Sequence, residues 1–550
     1  MEQNRKKHLE SILASDSSHK LIISGPGTGK TFTFGKVLEN DPGNSLVITL
    51  LNNLVDDMQR DLGELADVRT FHSLSRMLLH QRPFGGITSG FHFFPQLPDV
   101  IAGDSMALAE GGLIGNGFGR DEFGKAFRLL SEDDRHVELY IDRANYYNTV
   151  GFDDSVYRLL MLFQSHPEAV PRYHYVMVDE YQDYNELEGG VIAALESANR
   201  MLIVGDDDQA IYEFRQASPA HLRDKARDES YVRFPLPYCT RCTQVIVSAV
   251  DSVVESAQVH GFLGDRLNKE FVCYLPDKQA DSEKCPTIQI AICSVHRKNA
   301  PYIARYIETV VSNIEPSEIA LANEGDYPLA LIVGPGHYLD QIYEYLRAKF
   351  ENVAYRPSSS LRISVLDGFK LLRESEDSNL AWRILTEQLH SDSLEDVITG
   401  SADNRTPMVD LLDVDFRDQQ LDRLRAINQA IVDIELLSRD EVLDLESSIG
   451  QPIDEIMNML LQRNLASVDD SDQEEPDAEP PKPTLLLTNF NGCKGLSAGF
   501  TFVTGLEERI FPRDNRAPSD TEICQFIVAL TRTRKQCHLI HTRNFAGSWT

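Results

Sequence analysis

A glycine-rich stretch near the start of the chain carries the first recognisable chemistry. Residues 24–31 read Ser-Gly-Pro-Gly-Thr-Gly-Lys-Thr and lie between an apolar run and a segment with helical character. Glycines let the backbone curl so that its N–H groups point at phosphate oxygens, and a helix N-terminus favours the same negative charge. The lysine would neutralise a phosphate and the last threonine would coordinate Mg²⁺. The predicted triphosphate site comprises Ser24, Gly25, Pro26, Gly27, Thr28, Gly29, Lys30 and Thr31, with Ser24 in the place of the usual first glycine.

Two carboxylates follow another apolar run. Residues 173–178 lead into Asp179-Glu180-Tyr181-Gln182-Asp183. Asp179 would hold Mg²⁺, and Glu180 would orient and deprotonate an attacking water. The alternative, two solvated carboxylates at a strand end, requires the phosphate loop to be a coincidence. A loop and an acidic strand end in one chain predict nucleoside triphosphate hydrolysis.

A third apolar run, 201–204, precedes a polar and aromatic segment, 205–215. Gln209 is placed to bond a γ-phosphate and neighbouring backbone, so it would sense the nucleotide. Tyr212, Phe214 and Arg215 interleave rings with a cation, as the stacking of single-strand bases requires. Core packing is the alternative interpretation of the two aromatic residues.

Length, charge and cysteine content restrict the number of domains and the kinds of partner and environment that the protein can have. A chain of 550 residues predicts about three to five domains. A net charge of −32 has the wrong sign for nucleic acid bound over the whole surface, so any such site must be a local groove. No apolar run reaches the ~18 residues of a membrane span, and we expect a cytoplasmic protein without membrane contact. Eight cysteines with a single C-x-x-C, Cys239 and Cys242, favour a reduced, metal-free protein.

Taken in order, these motifs resemble those of superfamily 1 helicases, specifically the UvrD/Rep/PcrA-like branch, over nearly the whole chain. The resemblance implies an α/β fold of two RecA-like P-loop NTPase motor domains, with parallel sheets flanked by helices, and mainly helical inserted subdomains. The first motor domain would comprise 1–80 and 166–235, with a helical insertion at 81–165. The second would comprise 236–387 and 484–550, with a short acidic helical insertion at 388–483. Residues 469–483 hold seven acidic residues and four prolines, which predicts a disordered linker there.

The resemblance also carries over site residues. Arg241 and Arg532 match two arginine fingers, although Thr240 stands where an aromatic residue usually covers the adenine. Phe32 would supply one face of an adenine sandwich, and Gln3 would read the base. Ser497 replaces the acidic residue that contacts the nucleotide sugar. The implied catalytic set is Lys30, Glu180, Gln209, Arg241 and Arg532, and the implied DNA contacts are Asn52, Thr70, His72, Tyr212, Phe214, Arg215, Asn491, which replaces a histidine, and Lys494.

The function that the resemblance implies is an ATP-dependent DNA helicase and translocase that uses ATP and Mg²⁺. It would move 3′ to 5′ on single-stranded DNA, or on duplex DNA with a single-stranded tail. A second interpretation is an NTP-driven regulatory subunit of a nuclease-containing anti-phage complex, like the small UvrD-like proteins of Gabija-type antiviral defence systems. The short second insertion and the high acidity fit this interpretation better than a free-standing repair helicase, but they do not decide between the two. A third is a DNA-independent ATPase, and DNA stimulation of hydrolysis would discriminate among them.

Overall fold

The computed structural model describes residues 1–50, 52–131, 135–293, 300–356, 362–432, 437–461, 482–507, 509–514 and 517–542. The chain divides into two compact units. The first unit comprises Met1–Phe71, Glu168–Ser359 and Pro476–Thr550, and the second comprises His72–Pro167 and Ser360–Glu475.

Within these described ranges, the strands form two six-stranded sheets and two small two-stranded ones. They are β1 (His19–Ser24), β2 (Leu46–Ile48), β3 (Asp67–Arg69), β4 (His92–Phe93), β5 (Thr149–Val150), β6 (Val176–Val178), β7 (Met201–Gly205), β8 (Val232–Leu236), β9 (Tyr238–Cys239), β10 (Val272–Cys273), β11 (Gln289–Cys293), β12 (Ala330–Val333), β13 (Asn352–Arg356), β14 (Thr484–Thr488), β15 (Ala498–Val503) and β16 (Thr533–Thr542).

The helices alternate with these strands and also form most of the second unit. They are α1 (Glu2–Leu13), α2 (Lys30–Asn40), α3 (Asn52–Leu62), α4 (Phe71–Gln81), α5 (Leu97–Glu110), α6 (Arg120–Arg128), α7 (Arg135–Tyr146), α8 (Phe152–Ser165), α9 (Glu186–Glu196), α10 (Ala220–Arg227), α11 (Gln244–Val259), α12 (Leu275–Lys284), α13 (Ala300–Ser312), α14 (Pro316–Glu324), α15 (Gly336–Leu346), α16 (Val365–Glu374), α17 (Asn379–Leu389), α18 (Leu394–Gly400), α19 (Val414–Val432), α20 (Arg439–Ile449), α21 (Ile453–Leu461) and α22 (Asp520–Leu530).

The first large sheet has the order β3-β2-β6-β7-β1-β8, and its pairings are parallel. Strands covered by helices on both faces read as continuous apolar runs, and β7 is buried along its whole length. Phe34 and Val37 of α2 pack with Met58 and Leu62 of α3 in the core of this sheet. Because β6, β7 and β1 are neighbours and parallel, their carboxyl ends bring the phosphate loop, Asp179 and the segment after Gly205 to one edge.

The second large sheet has the order β11-β16-β15-β12-β14-β13, again with parallel pairings. Its core joins apolar residues of α13 and α15 to β12, β14 and β15. The last helix, α22, starts at a capping box in which the Ser519 hydroxyl accepts from the Glu522 N–H at 3.1 Å. Two parallel sheets flanked by helices confirm the predicted α/β fold with two RecA-like domains.

The second unit is mainly helical and has a buried ionic centre. Asp104 of α5 accepts hydrogen bonds from Arg143 of α7 at 2.7 Å and from Arg383 of α17 at 2.6 Å. Arg143 also donates to the Ser401 carbonyl at 3.1 Å and to the Asn404 side chain at 2.9 Å. A buried charge is tolerated when it is paired and hydrogen-bonded, and this carboxylate is fully enclosed by its partners. The network therefore links segments from both halves of this unit.

Two further contacts describe the packing of the second unit. Ala107 and Leu108 of α5 pack on Ile398 of α18. A Cβ at Gly111, directly after α5, would lie 2.7 Å from the Thr399 Cγ2. Helices α16 and α17, assigned from the sequence to the second motor domain, belong to this unit and pack closely on each other. Of the predicted linker, residues 469–481 lie outside the described residues.

Candidate nucleotide and strand site

The phosphate loop leaves β1 and enters α2 in a conformation that depends on glycine. Gly27 and Gly29 have φ angles of +67° and +86°, in the region that L side chains rarely adopt. Gly29 is the N-cap of α2 and supplies no capping side chain, so the first N–H groups of the helix are available to an anion. The Ser24 hydroxyl donates to the Gly205 carbonyl at 3.3 Å, which turns this side chain toward the neighbouring strand.

Lys30, the first residue of α2, is paired with the predicted base. Its Nζ lies 2.5 Å from Oε1 of Glu180, and the other carboxylate oxygen accepts from Gln182 Nε2 at 2.6 Å. Gln182 in turn accepts from the N–H of Asp206, directly after β7, at 2.9 Å. Gln182 therefore orients the carboxylate of Glu180 relative to the end of that strand. Burial alone would raise the pKa of Glu180, but the charges of Lys30 and Lys494 outweigh it and hold this pKa below its usual value.

Asp179 has an unused acceptor. Its carboxyl is buried, and its Oδ1 has no hydrogen-bond partner among the residues that the structure describes. Burial raises the pKa of Asp179 to about 6. A buried carboxylate oxygen without a donor suits a hard cation, and the Thr31 hydroxyl lies in the first turn of α2. Asp179 and Thr31 therefore fit as the side chains that would hold Mg²⁺.

The predicted sensor and fingers come from three segments of the first unit, which follow β7, follow β9 and precede β16. Gln209 accepts from Nη2 of Arg532 at 3.0 Å and donates to Asp206 Oδ2 at 2.6 Å. Arg532 is buried, and burial together with the charge of Arg241 lowers its pKa to about 10. Arg241 lies against the phosphate loop, since a Cβ on Gly27 would be 2.5 Å from the Arg241 Cβ. The two arginines and the glutamine thus meet at the phosphate loop and the strand ends beside it.

Lys494, predicted from the sequence to contact DNA, points inward in this structure. The side chain is 4% exposed, and its ammonium bonds to the carboxylate of Asp183 and to the Gln209 carbonyl at 2.7 Å. It also lies 3.5 Å from Oε2 of Glu180. Only three residues before it, Asn491 lines a different cavity. The loop after β14 therefore lies near the carboxylate of Glu180, the predicted base, and also lines a second cavity.

That second site is a cavity of about 720 Å³, lined by segments that follow β7 and β14 and by α22. Phe214 is 60% exposed at its wall, and Asn491 accepts there from Gln525 at 2.7 Å. Tyr212 is buried, with its ring 5.8 Å from that of Phe214. Arg215 lies 3.4 Å from Glu188. Among the four predicted strand contacts discussed here, Phe214 and Asn491 line this cavity.

The remaining predicted contacts are spread along the chain. Thr70 is buried directly after β3 in the first unit. His72 belongs to the second unit, where its ring lies 4.7 Å from that of Phe152. Asn52 is the first residue of α3, and its side chain is outside what the structure describes. Gln3 is exposed on α1.

A cavity of about 290 Å³ lies beside the loop, where the sequence predicts adenine binding. Phe32, Tyr238 and Tyr274 are among the residues that line it. Thr240, which stands where an aromatic residue would cover the adenine, is directed at the phosphate loop instead. Its N–H and its hydroxyl both donate to the Gly27 carbonyl, at 2.9 and 3.2 Å. The residues of α1 that line the cavity are Glu2, Arg5, Lys6, His8 and Leu9, so Gln3 is not among them.

Sequence reasoning missed several residues of the site. Lys269 places its ammonium among three consecutive carboxylates, at 2.7 Å from Asp207 and 3.1 Å from Asp208, and it also bonds to Asp206. Burial alone would lower the pKa of Lys269, but the three carboxylates raise it above its usual value. The run Asp206-Asp207-Asp208 after a buried strand signalled that a cation was required. Nothing in the sequence indicated which lysine or arginine would supply that charge, because Lys269 follows some 60 positions later. No sequence pattern pointed to Tyr274 or Gln525 either.

Comparisons with known proteins agree with this geometry. The family model described as UvrD/REP helicase N-terminal domain matches residues 124–229. The chain is 23% identical over 608 residues to the ATP-dependent DNA helicase PcrA of Staphylococcus aureus, covering 95% of this chain and 81% of that protein. It is 27% identical to the putative ATP-dependent DNA helicase YjcD of Bacillus subtilis, over 43% of this chain and 36% of that protein. It is also 27% identical to the ATP-dependent DNA helicase UvrD1 of Mycobacterium tuberculosis, over 44% of this chain and 38% of that protein.

The chain spans little more than a third of the length of YjcD and of UvrD1. Within the described part of the chain, no helix has the length and apolar character that would let it cross a membrane.

Proposed function

Because the chain belongs to the UvrD/Rep/PcrA-like superfamily 1 helicases, we propose that it is an ATP-dependent DNA helicase and translocase that moves 3′ to 5′ on single-stranded DNA. The observation that carries this proposal is the contact between Arg532, which follows α22, and Gln209, which follows β7. It joins the segment after β7 of the first large sheet to the segment before β16 of the second. Two parallel sheets joined at one nucleotide site are the arrangement that closing and opening on a triphosphate requires.

The catalytic steps follow from the charges around the loop. The loop N–H groups and Lys30 would bind the β- and γ-phosphates, which takes Lys30 away from Glu180. The pKa of Glu180 would then rise, and its carboxylate would accept a proton from the attacking water. Arg241 and Arg532 would stabilise the negative charge that develops on the γ-phosphate. Mg²⁺, held by Asp179 and Thr31, would neutralise phosphate charge.

Coupling to DNA would run through the loop after β14. Asn491 lines the larger cavity, and Lys494 is paired with Asp183 and lies 3.5 Å from Glu180. While Lys494 remains there, its charge helps to keep the pKa of Glu180 low and the carboxylate a weak base. A strand that contacts Asn491 would shift the loop and withdraw this lysine. Hydrolysis would then be faster when DNA is bound.

The strand itself would lie in the cavity of about 720 Å³ that Phe214 and Asn491 line. Base stacking on an exposed aromatic ring tolerates any sequence, because every base presents a flat face. The direction of movement rests on the family resemblance. We also place the protein in the cytoplasm, which the eight free, buried cysteines support because thiols stay reduced there.

Steady-state ATP hydrolysis with and without single-stranded DNA tests the proposal. Strong stimulation that Glu180→Gln abolishes would support a DNA-coupled motor. Strand displacement from duplexes with 3′ or 5′ tails would then test the direction. A rate of ATP hydrolysis that does not change when DNA is added would contradict the proposal. It would favour the second interpretation, a regulatory subunit with a nuclease partner.

A further inference from the structure

The first helix of the second unit carries a cation next to a predicted DNA contact. Arg76 lies four residues after His72 on α4, so the two side chains lie on the same face of the helix. Thr70 and His72 belong to the motif that predicts strand contact, whereas Arg76 lies beyond that motif and had no assigned role.

The guanidinium of Arg76 lies over an aromatic ring. Its guanidinium carbon lies 4.2 Å from the centroid of the Phe93 ring. The Phe93 ring lies 5.1 Å from that of Phe152, which lies 4.7 Å from His72. Phe152 is 40% exposed. We name these four residues, His72, Arg76, Phe93 and Phe152, the α4 platform.

Arg76 lacks the carboxylate partner that comparable arginines have. Arg120 lies 2.9 Å from Asp99 and Arg128 lies 2.8 Å from Asp153 in the same unit. Arg76 makes no ion pair with any residue that the structure describes, and within that part of the chain its buried Nε has no hydrogen-bond acceptor. Burial lowers the pKa of Arg76, with no neighbouring carboxylate to oppose it.

A half-buried guanidinium without an acceptor is unfavourable in the free protein, and an anion would relieve that cost. A chain with a net charge of −32 has many carboxylates that could have paired with Arg76, yet none of the described ones does. A planar guanidinium matches phosphate oxygens geometrically, and the aromatic rings beside it suit a base.

We propose that Arg76 binds a phosphate of the single-stranded DNA, with Phe93 fixing the plane of its guanidinium and the α4 platform supporting the strand. The proposal rests on the proposed function, because it assigns a further contact to the same DNA. It assigns a strand contact to the second unit.

The test is the salt dependence of binding. A fluorescein-labelled oligo(dT) is titrated with nucleotide-free protein at several NaCl concentrations, and log K is plotted against log [NaCl]. Each phosphate contact on a single strand contributes a slope of about −0.7. Arg76→Gln should therefore weaken binding and make the slope shallower by about 0.7. Arg76→Lys should keep the wild-type slope with a smaller loss of affinity, because the charge remains without the flat contact.

Arg120→Gln is the matched control, because Arg120 is an arginine of the same unit that has a carboxylate partner. Its slope should equal that of the wild type. DNA-independent ATP hydrolysis and thermal melting of each variant establish that it is folded. An Arg76→Gln protein with unchanged slope would overturn the inference, even if its affinity fell. If the wild type binds no DNA, both the proposed function and this inference fail, whereas normal wild-type binding with an unaltered variant rejects the inference alone.

Discussion

The Nζ of Lys30 and the Oε1 of Glu180 lie 2.5 Å apart, so the phosphate loop and the predicted base neutralise each other in the nucleotide-free protein. The pair keeps the pKa of Glu180 low until another anion engages the lysine. The γ-phosphate of the substrate is such an anion. Binding of the nucleotide would therefore strengthen the base that deprotonates the attacking water.

Replacing Lys30 with alanine should weaken ATP binding, because the loop loses its one side-chain cation. We expect the dissociation constant of a fluorescent ATP analogue to rise at least about tenfold, equivalent to about 1.4 kcal/mol. Lys36→Ala is the control, since Lys36 lies on the same helix and pairs with Glu39. Unchanged affinity in Lys30→Ala would remove the loop from the nucleotide site.

Lys494→Gln should uncouple hydrolysis from DNA. The variant lacks the charge that pairs with Asp183 and lies beside Glu180, so strand binding at Asn491 would have nothing to withdraw. The ratio of DNA-stimulated to basal hydrolysis should fall by about tenfold, within the usual range of coupling between sites. Lys535→Gln serves as the comparison, because Lys535 pairs with Glu318 and lines neither cavity. A ratio equal to that of the wild type would show that the coupling runs elsewhere.

Phe214→Ala should lower affinity for single-stranded DNA. Loss of one base-stacking ring costs about 1–3 kcal/mol, which fluorescence anisotropy with a labelled oligonucleotide would measure. Val259→Ala removes an apolar side chain that is 84% exposed at the end of α11, and it should have no effect. Equal affinity in the Phe214 variant would place the stacking surface outside this cavity.

The second unit should act as one body during the reaction. Cysteines placed at Gly111 and Thr399 are close enough for a disulfide, since a Cβ at 111 would lie 2.7 Å from the Thr399 Cγ2. The native cysteines are all buried, which favours oxidation of the introduced pair. The Asp104 network already links both segments of the unit. The oxidised double variant should therefore unwind DNA at about the same rate as its dithiol form. If oxidation stops unwinding and a reductant restores it, the two segments must separate in the cycle.

The sheets and the loop could be predicted because their signals are local. An apolar run followed by glycines, as at Leu21 and Ile22, or by Asp179 and Glu180, specifies a buried strand and a polar strand end within a dozen residues. The carboxyl ends of parallel neighbours then meet at one edge. The confirmed α/β fold follows from these runs.

The side chains that contact these site residues could not be predicted, because they come from distant parts of the chain. Lys269 pairs with Asp207 after β7, and Tyr274 lines the cavity of about 290 Å³ beside the phosphate loop. Both residues come from a segment that contains no recognisable motif. The inward direction of Lys494 depends on Asp183, more than 300 residues earlier. Membership of α16 and α17 in the second unit depends on packing with each other and with α19, which no local pattern announces.

The most direct test of the central claim is the rate of ATP hydrolysis with and without single-stranded DNA, measured for the wild type and for Glu180→Gln. The account predicts strong stimulation of the wild type by DNA and very slow turnover in the variant, with ATP still bound. Turnover that DNA does not change, or near-normal turnover in Glu180→Gln, would contradict it.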